Sequence, residues 1–89
     1  MVNKKIISEK LQKIKNFKSE NHKEFSDMLY SAMDKNKELL NKTDISVYYR
    51  EILYSFLYDC KDIIGIELNQ EEILNISFSF ENFINEEFN

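Results

Sequence analysis

Apolar residues recur at intervals of three and four positions along most of this chain, which is the spacing of an amphipathic helix. The strongest run is ISVYYREILYSFLYDCKDII, residues 45–64. On a helical projection its apolar side chains form one broad stripe, so we expect a central helix at about residues 44–64 that the other helices cover. The stripe consists of Ile45, Tyr48, Tyr49, Ile52, Leu53, Phe56, Leu57, Cys60, Ile63 and Ile64.

Two segments with the same spacing precede the central run, at about residues 4–18 and 20–40. The spacing continues in register through the polar stretch between them, so one long bent helix is an alternative to two. We favour two helices, because a single helix of that length would leave its apolar face uncovered in so short a chain. The predicted inward residues are Ile7, Leu11, Ile14 and Phe17 with Ile6 alongside, and then Phe25, Met28, Leu29, Ala32, Met33, Leu39 and Leu40, with Asn36 filling one inward position.

Capping signals mark the ends of the later helices. Thr43 or Asp44 is expected to cap the start of the central helix, because short oxygen-bearing side chains accept hydrogen bonds from the first free amides. Gly65, the only glycine in the chain, suits the left-handed residue that ends such a helix. The run NQEE at residues 69–72 predicts a capping box, and therefore a last helix over about residues 70–87.

The last segment has a competing interpretation, because its ILNISFSF stretch alternates apolar and polar residues as a strand does. On a helical projection at about 100° per residue, its apolar residues except Phe78 fall within about half of the circumference. A helix is therefore favoured, and a hairpin over residues 63–80 is the alternative. The residues on the predicted inward face are Ile73, Leu74, Ile76, Phe80, Phe83, Ile84 and Phe88.

These elements predict an all-α fold, a small antiparallel bundle of three to four helices at about 4–18, 20–40, 44–64 and 70–87. All 89 residues are expected to form a single domain over residues 1–89, and an α+β fold with the C-terminal hairpin is the alternative. The absence of proline and the single glycine favour long helices. One cysteine allows no internal disulfide, so the predicted stability rests on apolar packing.

The location and charge of the protein follow from the same composition. No run approaches the roughly 20 apolar residues that a membrane span needs, and the charged N-terminus is unlike a signal peptide, so we expect a cytoplasmic protein. Residues 1–42 carry a net charge of +4, whereas residues 43–89 carry −8. Such asymmetry indicates either a charged partner or two halves that neutralise each other on folding, and the sequence leaves both open.

No constellation of catalytic, cofactor-binding or metal-ligating residues is visible. His22 is the only histidine and Cys60 the only cysteine, and neither has partners at the spacing of a nucleophile–base pair or a zinc site. We therefore expect a protein that is not an enzyme and has no cofactor. Nucleic-acid binding is not expected either, because the lysine-rich first segment lacks arginine and a recognition motif, and the pI is about 5.0.

The density of acidic residues in the second half predicts a surface for a basic protein partner, because such a surface repels itself and gains from an opposite charge. Two tyrosines on the flank of the central helix add large side chains of the kind enriched in binding hot spots. The expected partner-binding residues are Asp59, Asp62, Glu67, Glu71, Glu72, Tyr54 and Tyr58.

Two stretches within about residues 45–88, ILYSFLYDC and NQEEILNISFSFENFI, resemble in general character the sequences of the small acidic helical immunity proteins of bacteria. Members of that group neutralise bacteriocin and contact-dependent-inhibition nuclease toxins. The resemblance implies a stoichiometric inhibitor whose acidic side chains mimic nucleic-acid phosphates at the toxin's basic active site. Two alternatives remain open. One is a phage-encoded inhibitor of a host enzyme, and the other is a helical regulatory module that forms homodimers through an exposed apolar strip.

Overall fold

The structure is a computed structural model that describes residues 3–88, apart from the side chain of Phe88. Four α-helices and one 3₁₀ helix make up this part of the chain, and no strand occurs in it. The all-α prediction is therefore confirmed, and the C-terminal hairpin does not form. The elements are α1 (Lys4–Glu20), α2 (His22–Lys35), the 3₁₀ helix (Lys37–Asn41), α3 (Ile45–Ile64) and α4 (Gln70–Phe88).

The predicted caps around the α3–α4 connection are confirmed. Gly65 has a φ of 74° and donates its amide to the Lys61 carbonyl, which ends α3 in the left-handed conformation that glycine adopts without strain. The capping box is reciprocal: the Glu72 amide donates to Asn69 Oδ1 over 2.8 Å, and the Asn69 amide donates to Glu72 Oε1 over 2.9 Å. Together these caps fix the direction in which α4 leaves α3.

The start of α3 departs from the expected capping. Asp44 occupies the N-cap position with an extended backbone, but its side chain makes no capping hydrogen bond. The Thr43 hydroxyl instead donates to the Leu39 carbonyl over 2.9 Å, in the preceding 3₁₀ helix. This bond belongs to the connection before α3, so neither candidate side chain caps the helix itself.

The first two helices are separate, as favoured from the sequence, and the single bent helix does not form. They part at Asn21, whose φ of −135° and ψ of 54° lie outside the helical region. The amide of Asn21 still donates to the Phe17 carbonyl, and its own carbonyl accepts from the Phe25 amide. One non-helical residue therefore turns the chain while keeping most of its backbone hydrogen bonds.

The prediction of one helix over residues 20–40 is wrong at its C-terminal end, because α2 stops at Lys35. The side-chain amide of Asn36 donates to the Ala32 carbonyl over 2.7 Å, and the Asn36 backbone amide bonds to Met33 three residues back. Asparagine side chains compete with the backbone for carbonyls in this way, and the tighter spacing is that of a 3₁₀ helix. Leu40, predicted to point inward, is consequently 50% exposed.

A cluster of phenylalanine rings from α2, α3 and α4 lies within the apolar core. Phe56 of α3 is in contact with Phe25 of α2 and Phe80 of α4, with ring centroids 5.3 and 5.2 Å apart. All three rings are fully buried, and Phe83 of α4 lies 6.0 Å from Phe25. Helix α3 contacts α1, α2, α4 and the 3₁₀ helix, which confirms it as the central element.

Several residues predicted to lie inward are instead exposed. Ile45 and Ile63, at the two ends of α3, are 53% and 55% exposed. Ile6 and Leu74 are also exposed, whereas the predicted outward position of Phe78 is confirmed. Within residues 3–88 no helix has both the length and the apolar character needed to cross a membrane.

Candidate protein-binding surface

Ion pairs between helices link the basic half of the chain to the acidic half. Lys10 on α1 pairs with Glu72 on α4 at 2.8 Å, and Lys35 at the end of α2 pairs with Asp59 on α3 at 2.8 Å. Lys18 on α1 pairs with Glu86 near the end of α4. Folding therefore neutralises part of the charge asymmetry, and several acidic residues serve contacts within the chain.

A further contact of this kind ties the C-terminal end of α4 to α2. The carboxylate of Glu87 is mostly buried, and its Oε2 accepts a hydrogen bond from the Ser26 hydroxyl over 2.8 Å. Its Oε1 lies 3.2 Å from His22 Nε2. The imidazole is otherwise exposed, so the only histidine is a surface residue at the first position of α2.

Glu72, one of the expected partner-binding residues, lies inside the bundle with 9% of its surface exposed. Its carboxylate accepts hydrogen bonds from the Asn69 amide and from Lys10, and these two interactions, in that order, hold the pKa of Glu72 below its usual value. The Lys10 ammonium also donates to the Glu67 carbonyl over 2.6 Å. Glu72 therefore lies between α1 and the α3–α4 connection, and its contacts hold these two parts of the chain together.

The other expected acidic residues differ in their surroundings. Asp59 is engaged with Lys35, as described, and its side chain is 27% exposed. Asp62, Glu67 and Glu71 are exposed. Asp62 and Glu67 face a common cleft of about 630 Å³ between α1 and the α3–α4 connection, which lysines from α1 and α3 also line. The exposed acids therefore gather where α3 passes into α4.

Tyr54 and Tyr58 are exposed on the outer face of α3, to 41% and 74%. They lie one helical turn apart, so their rings are neighbours on the surface. Together with Glu67 and Leu68 they border a shallow depression of about 310 Å³. The Lys61 ammonium lies 5.4 Å from the centroid of the Tyr58 ring, within the range of a cation–π contact.

The structure therefore brings together most of the expected partner-binding residues at one end of the bundle. We call this region the tyrosine–acid surface, and Glu67 joins its two parts because it lines both the charged cleft and the tyrosine depression. Glu72 is held by Lys10 inside the bundle and is not part of this surface. Asp59 borders a depression with both tyrosines, but its carboxylate is paired with Lys35 and it is not included in the surface. The tyrosine–acid surface consists of Tyr54, Tyr58, Asp62 and Glu67. Glu71 is exposed at the start of α4 but borders neither the cleft nor the depression.

A second surface was not identified from the sequence as a binding site. Phe78 and Leu74 on α4 are 72% and 47% exposed. They border a depression of about 300 Å³ with Tyr49 and Arg50 of α3 and Glu81 of α4. The one available signal was the position of Phe78 outside the inward arc of its helix, and a single outlying phenylalanine does not by itself predict a site. We call this region the Phe78 face.

The remaining candidate groups for chemistry are inert or isolated. Cys60 is fully buried in the core, and burial raises the pKa of its thiol to about 12, so the reactive thiolate is suppressed in the folded state. Within the part of the chain that the structure describes, no group of three histidine, cysteine, aspartate or glutamate side chains is arranged to hold a metal ion.

Comparison with protein-family models, with curated proteins and with solved structures found no match to this chain.

Proposed function

We propose that this protein is a stoichiometric inhibitor of the immunity type, which binds a basic nuclease toxin through the tyrosine–acid surface. The observation that carries the proposal is the exposure of Tyr58, 74%, beside the exposed carboxylates of Asp62 and Glu67. A tyrosine ring supplies a large contact area with few rotatable bonds, and carboxylates steer a basic partner towards it. The class of partner is taken from the resemblance of the second half of the chain to immunity proteins.

The arrangement of charges supports binding by this end of the bundle. Lys10, the α1 lysine nearest to the α3–α4 connection, already bonds to Glu72 and to the Glu67 carbonyl, so its charge is partly compensated within the chain. Lys13 and Lys61 line the same cleft, but among the described residues none of the three lysines forms an ion pair with Asp62 or Glu67. A basic partner would therefore meet carboxylates that the fold has not fully neutralised.

The proposal predicts that a gene next to this one encodes a basic nuclease domain, and the test uses that domain as the partner. Asp62→Lys combined with Glu67→Lys should abolish inhibition of nucleic-acid cleavage, because it replaces attraction by repulsion at the centre of the surface. The matched control is Glu20→Lys combined with Asp27→Lys, which makes the same charge change at exposed positions on α1 and α2. Far-ultraviolet circular dichroism checks that both variants remain helical.

Two further measurements sharpen this experiment. Tyr58→Ala should weaken binding by about tenfold or more, because hot-spot aromatic residues contribute disproportionately. Inhibition by the wild-type protein should also weaken as salt rises, since screening shortens the range of charge attraction. Equal inhibition by the two double variants would contradict the proposal. A partner that proves to be a host enzyme with a basic cleft would support the phage-inhibitor alternative.

A further inference from the structure

The Phe78 face has the composition of an interface core surrounded by charges. Phe78 and Leu74 are one turn apart on α4, so their exposed side chains form one continuous apolar strip. Arg50, the only arginine in the chain, borders the same depression and is of a type enriched at interfaces. Phe78, exposed to 72%, adds an aromatic ring, and aromatic residues are enriched at interfaces together with arginine.

The two charges of this face lie on opposite sides of Phe78. Arg50 also lines the neighbouring depression with Gln70 and Leu74, towards the start of α4, whereas Glu81 lies one turn beyond Phe78 in the other direction. Among the described residues, neither Arg50 nor Glu81 forms an ion pair within the chain. The face therefore presents a positive group, an apolar centre and a negative group in order.

This order is self-complementary. A two-fold axis through an apolar centre exchanges its two sides, so the positive side of one copy meets the negative side of the other. We propose that the Phe78 face is a two-fold homodimer interface in which Phe78 packs against its symmetry mate and Arg50 of each protomer pairs with Glu81 of the other.

The proposal goes beyond the inhibitor function and does not depend on it. Tyr58, Asp62 and Glu67 do not border the Phe78 depression, so a dimer formed there leaves these three residues free to bind. Tyr54 borders the neighbouring depression that Arg50 and Leu74 also line. The test of the dimer uses the purified chain alone, without any toxin, so that failure of the dimer and failure of the inhibitor function are distinguished.

The first measurement is sedimentation equilibrium over a series of protein concentrations. The wild-type protein is expected to show a mass that rises to twice that of the chain, and Phe78→Asp to remain a monomer at every concentration. Leu40→Asp is the matched control, because Leu40 is 50% exposed on the 3₁₀ helix and does not border the Phe78 depression. A monomeric wild-type protein, or equal dimerisation of Phe78→Asp, would overturn the proposal.

A charge exchange identifies the residue pair. Arg50→Glu and Glu81→Arg, each alone, should weaken self-association by about tenfold or more, because both contacts of the dimer then join like charges. An equimolar mixture of the two variants should dimerise as the wild type does, since both contacts of the mixed dimer join opposite charges. Failure of the mixture to recover, with both variants folded by circular dichroism, would overturn the assignment of the pair.

Discussion

The ammonium group of Lys10 lies 2.8 Å from a carboxylate oxygen of Glu72, although the two residues are 62 positions apart in the chain. This pair joins the basic first helix to the start of the last helix, and the same carboxylate completes the capping box with Asn69. One side chain thus caps α4 and binds α1. Its position explains why an acidic residue that looks available in the sequence is engaged in the fold.

Replacing Glu72 by glutamine should lower the free energy of unfolding at pH 7 by about 1–3 kcal/mol, because the Lys10 ammonium then faces a neutral amide. The pKa of Glu72 is lowered in the folded protein, so its contribution to stability is present above the unfolded pKa of about 4.5 and is lost as the pH falls through the lower folded value. Urea unfolding at pH 7 and at pH 3 measures this difference.

At pH 3 the Glu72→Gln variant and the wild-type protein should therefore be closer in stability than at pH 7. Asp27→Asn, an exposed site on α2, serves as the control and should change stability little at either pH. An equal loss for Glu72→Gln at both pH values would contradict the assigned role of the carboxylate.

The hydrogen bond between Asn36 and Ser55 is expected to fix the end of α2 against α3. The Asn36 amide lies 2.9 Å from the Ser55 hydroxyl and 2.7 Å from the Ala32 carbonyl. Asn36→Ala should destabilise the protein by about 1–2 kcal/mol, because it removes the donor of both bonds. A double-mutant cycle with Ser55→Ala, followed by urea unfolding, isolates the side-chain pair.

The expected coupling energy in that cycle is about 0.5–1.5 kcal/mol. Ser31→Ala, at an exposed site on α2, combined with Asn36→Ala should instead be additive. Additivity of the Asn36 and Ser55 changes would show that their contact adds nothing to stability.

Two phenylalanines on α4, two positions apart, should differ strongly in how much stability their truncation costs. Phe80 is fully buried and lies 5.2 Å from Phe56, so Phe80→Ala should cost about 3–5 kcal/mol through the cavity it leaves. Phe78 is 72% exposed, so Phe78→Ala should change the stability of the protomer by about 0.5 kcal/mol or less.

Thermal unfolding at a protein concentration low enough to keep the chain monomeric measures both effects. A large loss for Phe78→Ala under those conditions would place its ring in the core instead of at an interface.

The thiol of Cys60 should be unreactive in the folded protein. Burial raises its pKa to about 12, and a thiol reagent needs both access and the thiolate. At pH 8 the native protein should not be labelled by a disulfide reagent, and labelling should become rapid in urea. Ser31→Cys, which adds a thiol at an exposed site, should be labelled at once at that second position. Prompt labelling of native Cys60 would contradict its burial.

The local pattern of the sequence was sufficient to predict the helices and their best-defined ends. The period of apolar residues identified α3 as central and placed Phe78 outside the inward arc, and both are confirmed. The glycine at residue 65 and the capping box at residues 69–72 were also predicted correctly. These features depend on residues within a few positions of each other, which the sequence presents directly.

Contacts between distant residues decided the rest. Whether Asp59, Glu72 or Glu87 is available on the surface depends on lysine, serine and histidine partners on other helices, and helical periodicity carries no information about them. The early end of α2 likewise depends in part on Ser55, which approaches Asn36 only after α3 has packed. Because helical faces are set locally and helix pairing is set by the whole core, the sequence determined the elements and the tertiary structure decided which charges and rings remain exposed.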